Sequence, residues 1–206
     1  MSSDNRQPRR RATNGQDRYE QILKVATRLF AEEGYHVASL EDIAREIGFT
    51  KPAIYHYFGS KEEILYEIHE RIVRGARDKL KELLDSELAP VELLTAALEE
   101  HTKTMLRNLE ANSVLFQERG RLSEEYERSI LALESEYESL LVQLYSRGVD
   151  AGELRGVDPK IAINTLLGAC NWAYRWFRPR GKYRIDDFAG VVVELLMHGY
   201  CTADQR

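Results

Sequence analysis

The sequence predicts an all-α fold. Apolar residues recur at helical spacing through most of the chain. Ser, Thr or Asp precedes the periodic segments, and Gly or Pro follows them. No segment shows a convincing two-residue alternation of a strand, and there is no internal repeat. The 206 residues suffice for one large or two small domains with a sizeable core.

Residues 1–16 are polar, with Pro8 and Gly15, and are expected to be disordered without a partner. Asp17, with Glu20 three residues on, looks like the cap of a first helix. Ile22, Leu23, Ala26, Leu29 and Phe30 share one of its faces, and Gly34 ends it. Ser39 caps a second helix, with Asp42 in the capping-box place. Leu40, Ile43, Ala44 and Ile47 form its apolar face, and Gly48 closes it. Thr50 caps a third helix over 50–57. Pro52 falls in its first turn, where a missing N–H does no harm, and Gly59 ends it. Ser60 and Glu63 form a capping box for a fourth helix that runs as far as Leu88.

Further helices follow at 90–108, 112–121 and 123–149. The glycines at 148, 152 and 156 break the last of these. Asp158 and Pro159 open a helix to about Phe177, residues 178–184 are a basic loop, and a final helix spans about 186–199.

Two short helices joined by Gly48-Phe49, with a longer helix before them, have the layout of a helix-turn-helix. The second helix of such a unit lies in the major groove. On residues 50–57, Ile54 and Phe58 should face inward, leaving Lys51, Pro52, Tyr55 and His56 outward and Tyr57 at the margin. Phenol and imidazole groups hydrogen-bond phosphate while their rings cover sugar and thymine methyl surface. Lys51 and Lys61 add cations at two helix starts, where backbone N–H groups favour anions. The competing reading is that Tyr55 and Tyr57 pack beneath the neighbouring helices.

Net charge is −5, but its distribution is uneven. Residues 1–61 hold ten Lys/Arg against eight Asp/Glu, and residues 62–206 hold nineteen against twenty-six. A basic arm with Arg6, Arg9, Arg10 and Arg11, on a near-neutral head with an acidic body, suggests a polyanionic partner at the N-terminus only. A solvated tail is the alternative.

Cys170 and Cys201 lie far apart without CxxC spacing, which fits a reducing compartment better than a disulfide or zinc framework. No apolar run approaches the roughly 20 residues of a membrane span and no signal-peptide core follows the N-terminus, so a cytoplasmic location with no membrane partner is expected. No GxSxG, phosphate-binding loop, GxGxxG or HExxH is present, nor the two Glu-x-x-His motifs of a di-iron bundle, and His36, His56, His69, His101 and His198 are scattered. No catalytic residues, metal ligands or cofactor are expected. A helical small-molecule-binding enzyme or a protein-interaction scaffold remains the alternative class.

The run Tyr19–Leu65 resembles the DNA-binding domain of TetR-family transcriptional regulators. The resemblance lies in Ile22-Leu23 through Phe30 with Gly34-Tyr35, Ser39-Leu40-Glu41-Asp42-Ile43-Ala44, Gly48-Phe49-Thr50-Lys51, and Ile54-Tyr55-His56-Tyr57-Phe58 followed by Ser60-Lys61-Glu62. It implies a helix-turn-helix domain over 17–62 and a ligand-binding and dimerisation domain over 63–206. It implies a homodimer on a palindromic duplex operator, usually as a repressor. It implies DNA contacts at Ser39, Thr50, Lys51, Tyr55, His56, Tyr57 and Lys61, with Arg9, Arg10 and Arg11 reaching phosphates or the minor groove. Pro52 departs from the family pattern, which places a small or polar residue there.

The resemblance also implies dimerisation through the last two long helices, about 158–177 and 185–200. Gly168, Ala169 and Ala173 permit close approach, and Val191, Val192, Leu195 and Leu196 form an apolar stripe. The densest aromatic and basic stretch is NWAYRWFRPR, residues 171–180. Asn171, Trp172, Arg175 and Trp176 are its candidate ligand contacts, as an aromatic wall with trailing cations for a phosphate-bearing head group. The stretch is similar to one in TetR-family regulators that sense acyl-CoA thioesters. Phe116, Gln117 and Arg119 are further pocket candidates by family position. The alternative is that the tryptophans pack at a dimer interface and the arginines are solvated.

Overall fold

The computed structural model describes residues 9–118 and 120–198, and the side chains of residues 15–118 and 120–198. The described residues contain helices and no strand. They are α1 (Arg9–Glu33), α2 (Leu40–Glu46), α3 (Lys51–Tyr55), α4 (Lys61–Leu84), α5 (Pro90–Arg107), α6 (Leu109–Gln117), α7 (Glu124–Asp150), α8 (Pro159–Trp172) and α9 (Ile185–His198).

The head packs α1, α2, α3 and the start of α4 around one core. Ile22, Leu23, Ala26, Leu29 and Phe30 of α1 meet Leu40, Ile43 and Ala44 of α2, Ile54 and Phe58, and Ile64, Leu65 and Ile68 of α4. Tyr19 stacks on Phe58 at 4.6 Å. The turn between α2 and α3 is held by Phe49 N–H donating to Ala44 O at 2.8 Å. Gly48 has φ +70° there, in the left-handed region that glycine enters without a Cβ clash.

In the body α5 is central, packing against α4, α7, α8 and α9. Leu93, Leu94, Ala97 and Leu98 lie in one cluster with Leu80, Leu141, Leu144, Ile163 and Val193. A smaller cluster joins Leu106, Ala173, Phe177 and Phe188. The α5–α6 joint is pinned by buried Asn112, whose Nδ2 donates to Met105 O and Asn108 O, each at 3.0 Å.

Several expected boundaries move, each for a local reason. α1 begins at Arg9, so Asp17 lies inside the helix instead of capping it, and residues 9–16 are helical. No proline interrupts 9–33, and Arg and Ala have high helix propensity. Residues 1–8 of the expected arm, Arg6 among them, lie outside the described residues. α4 stops at Leu84, where Ser86 Oγ donates to Leu83 O at 2.7 Å and competes with the helix. Asn112 sits within α6 because its amide bonds back to α5. α8 tightens into a 3-10 turn at Ala173–Arg175 before reaching Phe177.

Candidate DNA-binding surface and effector cavity

The outward side of α3 carries Lys51, Pro52, Tyr55 and His56, all exposed, while Ile54 and Phe58 are buried, as the helical spacing predicts. Thr50 is exposed; its extended backbone makes it the N-cap, yet its hydroxyl makes no capping bond and faces solvent. Tyr55 is 48% exposed. Lys51 Nζ pairs with Glu41 of α2 at the surface. Water screens a pair this exposed, so a phosphate can take the lysine at little cost. The exposed His56 ring meets Tyr57 edge-on at 5.3 Å.

Three expected contacts are placed differently. Tyr57 is half-buried and packs on the head core, which is the packing alternative. Ser39 is committed to its cap: Oγ accepts from Asp42 N–H at 3.2 Å and donates to Asp42 Oδ2 at 2.5 Å. Lys61 does not project into solvent. Its ammonium donates to Tyr35 O and lies 4.3 Å from the centre of the Tyr35 ring, and burial pulls its pKa below the usual lysine value. Ser60 Oγ takes Glu63 N–H at 3.0 Å, and Glu62 and Glu63 fill the first turn with negative charge. Lys61 therefore ties the α1–α2 loop to α4. Arg9, Arg10 and Arg11 lie in the first turns of α1, and their side chains are outside the described residues.

The body holds a cavity of about 370 Å³ among α4, α5, α6, α7 and α8. Ile72, Val73 and Ala76 of α4 form one wall, and Leu115 and Phe116 of α6 another. At its polar end His101 is held on both sides. Nδ1 is 2.9 Å from the Tyr137 hydroxyl and Nε2 is 2.8 Å from Asn171 Oδ1. An amide oxygen only accepts, so Nε2 carries the proton and Tyr137 donates to Nδ1. Burial pushes the His101 pKa down, opposed in part by the Asn171 bond. Glu134, Glu138 and Asn164 also line the cavity, with Asn164 Nδ2 donating to Glu138 Oε1 at 2.9 Å, and among the described residues no Lys or Arg lines it.

A neutral, half-buried histidine makes stability depend on pH. Its folded pKa lies below the unfolded value of about 6.5, so the unfolded chain binds the proton more readily. The contribution is fully present above about pH 6.5 and is lost as pH falls below it. The urea midpoint of the wild type should therefore drop more steeply from about pH 7 to pH 5 than that of His101→Gln. Lys79, Glu100, Glu134, Glu138 and Tyr137 surround the ring and are unchanged in that comparison. Equal slopes would contradict a neutral His101.

Of the expected ligand contacts among the described residues, Phe116 and Asn171 line this cavity and Gln117, Trp172, Arg175 and Trp176 do not. Trp172 is 62% and Trp176 53% exposed. The tryptophans would share a helical face only if α8 continued, and the 3-10 turn breaks that register. Trp176 lines a separate cleft of about 210 Å³ with Phe177, Arg178 and Tyr183. Arg175 is exposed, 5.8 Å from the Trp172 ring. Gln117 points to solvent and donates to Ser113 Oγ at 2.9 Å. Arg119 lies outside the described residues. His101, Thr104, Tyr137 and Asn164 were missed. The available signal was the Leu94-Ala97-Leu98-His101-Met105 stripe of α5, in which one polar ring interrupts an apolar face.

The surface expected to meet a partner subunit is also only partly available. Ala173 is fully buried inside the chain, and Val192 and Leu196 pack on its cores. Ile161, Trp172 and Val191 remain exposed on α8 and α9, and Gly168 is exposed at the edge of the cavity. Among the described residues no helix is long and apolar enough to cross a membrane.

Residues 22–68 match the family described as bacterial regulatory proteins, tetR family, and residues 87–200 match the tetracyclin repressor-like C-terminal domain. A TetR/AcrR-family transcriptional regulator from Thermobifida fusca YX-ER1 is 46% identical, with 90% of this chain and 100% of that one covered and a TM-score of 0.73. The transcriptional repressor KstR2 of Rhodococcus jostii RHA1 is 27% identical over 191 residues, covering 88% of this chain and 90% of the repressor. AibR, solved in complex with isovaleryl coenzyme A and operator DNA, is 29% identical with a TM-score of 0.78, covering 87% and 98% of the two chains. These relatives are regulators and not enzymes, which removes the enzyme alternative. The exposed recognition helix and the two matched domains together place this chain in the TetR family of DNA-binding transcriptional regulators.

Proposed function

We propose that the protein is a repressor that binds a palindromic operator as a dimer and leaves it when an acyl-CoA thioester occupies the body. Residues 17–62 serve as the DNA-binding unit, with the recognition surface on α3. Residues 63–206 bind ligand and dimerise through the exposed apolar residues of α8 and α9.

One observation carries the coupling. α4 contributes Ile64, Leu65 and Ile68 to the head core, and one turn later Ile72, Val73 and Ala76 to the cavity wall. α6 does the same, with Val114 in the head core and Leu115 and Phe116 at the cavity. A ligand that presses on this wall therefore acts on two elements that the head is built upon. The recognition helices of a dimer must sit about 34–36 Å apart to reach successive grooves. A ligand that prefers another spacing lowers operator affinity by that preference ratio and no more.

The cavity chemistry suits the acyl portion of such a ligand. Aliphatic and aromatic walls cover a hydrocarbon, and Thr104 and Asn171 supply polar groups for a carbonyl. With two carboxylates and, among the described residues, no cation in its lining, the cavity disfavours phosphates, so the coenzyme head group lies outside it. The relative AibR supports this ligand class, being solved with isovaleryl coenzyme A.

Gel shifts with genomic fragments identify the operator, and isovaleryl-CoA and longer acyl-CoA thioesters are then added. Release by a thioester but not by free coenzyme A is the expected result. A thioester that binds the protein and leaves operator affinity unchanged would refute the coupling, and no binding by any thioester would refute the ligand class.

A further inference from the structure

A second hollow, of about 310 Å³, lies where α1 meets α4, the end of α5 and α6. That volume is in the range of small-molecule sites. Its lining is aliphatic at Leu23, Ile68, Ile72 and Ala111, and charged at Glu20, Lys24 and Arg71. Arg71 Nη1 and Nη2 donate to Glu20 Oε2 and Oε1 at 2.7 and 3.0 Å, and its Nε lies 3.7 Å from Glu67 Oε2, so two carboxylates hold this guanidinium between α1 and α4. Lys24 has no ion pair among the described residues. The hollow thus combines an aliphatic lining with one exposed ammonium that no carboxylate among the described residues holds.

Gly75 of α4 lines the same hollow, and a Cβ built there meets nothing within 4 Å. Its φ is not positive, so the backbone does not require glycine. Glycine inside a helix costs about 1 kcal/mol relative to alanine. Neither conformation nor packing within the chain requires it, and a large side chain there would have the open hollow beside it.

We propose that this hollow is a second ligand site, for an amphiphile with one anionic headgroup on an aliphatic tail, namely an alkyl carboxylate. The carboxylate pairs with Lys24 beside Arg71, and the tail lies along Leu23, Ile68 and Ile72. The site is distinct from the effector cavity, although Ile72 and Thr104 form the partition and contribute to both. An occupant touches α1 and α4 together and so bears on how the head sits on the body. Its existence does not depend on the proposed thioester or on release from an operator.

The test is calorimetric titration of the full chain with octanoate, decanoate and dodecanoate, each below its micelle concentration. Wild type, Gly75→Leu, Lys24→Glu and Ala76→Leu are compared, the last narrowing the effector cavity at a residue that does not line this hollow. Saturable binding at one site per chain is expected in wild type and in Ala76→Leu. Gly75→Leu should weaken it at least tenfold and Lys24→Glu several-fold, with melting temperatures showing that both variants are folded. Leucine is a better helix former than glycine, so Gly75→Leu leaves α4 intact. Absence of saturable binding overturns the proposal, as does binding indifferent to Gly75→Leu. Loss in Ala76→Leu comparable to that in Gly75→Leu also overturns it, by making the two hollows one site.

Discussion

Tyr55→Ala is expected to lower operator affinity by roughly 30- to 1000-fold with the melting temperature nearly unchanged. The size follows from symmetry. A side chain that bonds phosphate or covers a base edge contributes roughly 1–2 kcal/mol per half-site. A two-fold assembly loses it twice, so about 2–4 kcal/mol disappears, where every 1.4 kcal/mol is tenfold. Stability barely changes because Tyr55 is half in solvent, while the buried anchors of its helix are Ile54 and Phe58. Tyr55→Phe separates the roles of the ring: it keeps the apolar cover and removes the hydroxyl. Lys51→Ala should act differently, weakening all sequences alike and lowering the salt slope by about two units per dimer. Gel shifts on the operator and on unrelated duplex, over a range of salt, measure both. Unchanged affinity of Tyr55→Ala on the operator would remove the outward side of α3 from the interface.

Lys61→Ala should give a contrasting pattern. Its ammonium is spent on the Tyr35 carbonyl and ring, so its removal loosens the α1–α2 loop and lowers stability without the salt signature of a lost phosphate contact. Sequence spacing cannot distinguish the two lysines. Lys51 and Lys61 each stand at a helix start, and only the fold decides which start is covered by a loop.

The head was legible because its signals are local. The apolar spacing of α1, the capping box at Ser39 and the left-handed glycine at 48 act within a few residues and are independent of the rest of the chain. The effector cavity was legible only in part, because its walls come from five helices. Phe116 and Asn171 were found, but the Trp172–Trp176 pair misled. Four residues apart, they imply one face only while the helix keeps its pitch, and the 3-10 turn at Ala173–Arg175 ends that. The turn has a tertiary cause: Phe177 swings in to meet Phe188 at 5.0 Å. His101 was passed over for the converse reason. A lone histidine on an apolar helix reads as a filled core position until Tyr137 and Asn171, thirty-six and seventy residues later, are known to hold its two nitrogens. The same long-range packing removed Ala173 from the expected dimer surface, since a small residue suits a close helix contact within a chain as well as between chains.

Ala76→Leu is the second change with a large expected effect, and it separates ligand binding from DNA binding. Ala76 lies on the cavity wall contributed by α4, away from the head core. Leucine there projects three further carbons into the space the proposed acyl group fills, and the ligand must move or be excluded. A ligand group displaced from an apolar wall loses about 0.8 kcal/mol per methylene, so a loss of two or three methylene contacts costs roughly 2 kcal/mol, about thirtyfold in affinity. The protein itself has room for the change: overpacking typically costs about 1–3 kcal/mol in a filled core, and here the added carbons enter an open cavity. Operator affinity without ligand should therefore match the wild type, while the thioester concentration needed for release rises about thirtyfold. A variant that binds the operator normally and is released at the wild-type ligand concentration would show that the effector sits elsewhere. A variant that loses operator binding without ligand would show that the α4 wall sets the spacing of the recognition helices even when the cavity is empty, because the added side chain would then be acting as the ligand does.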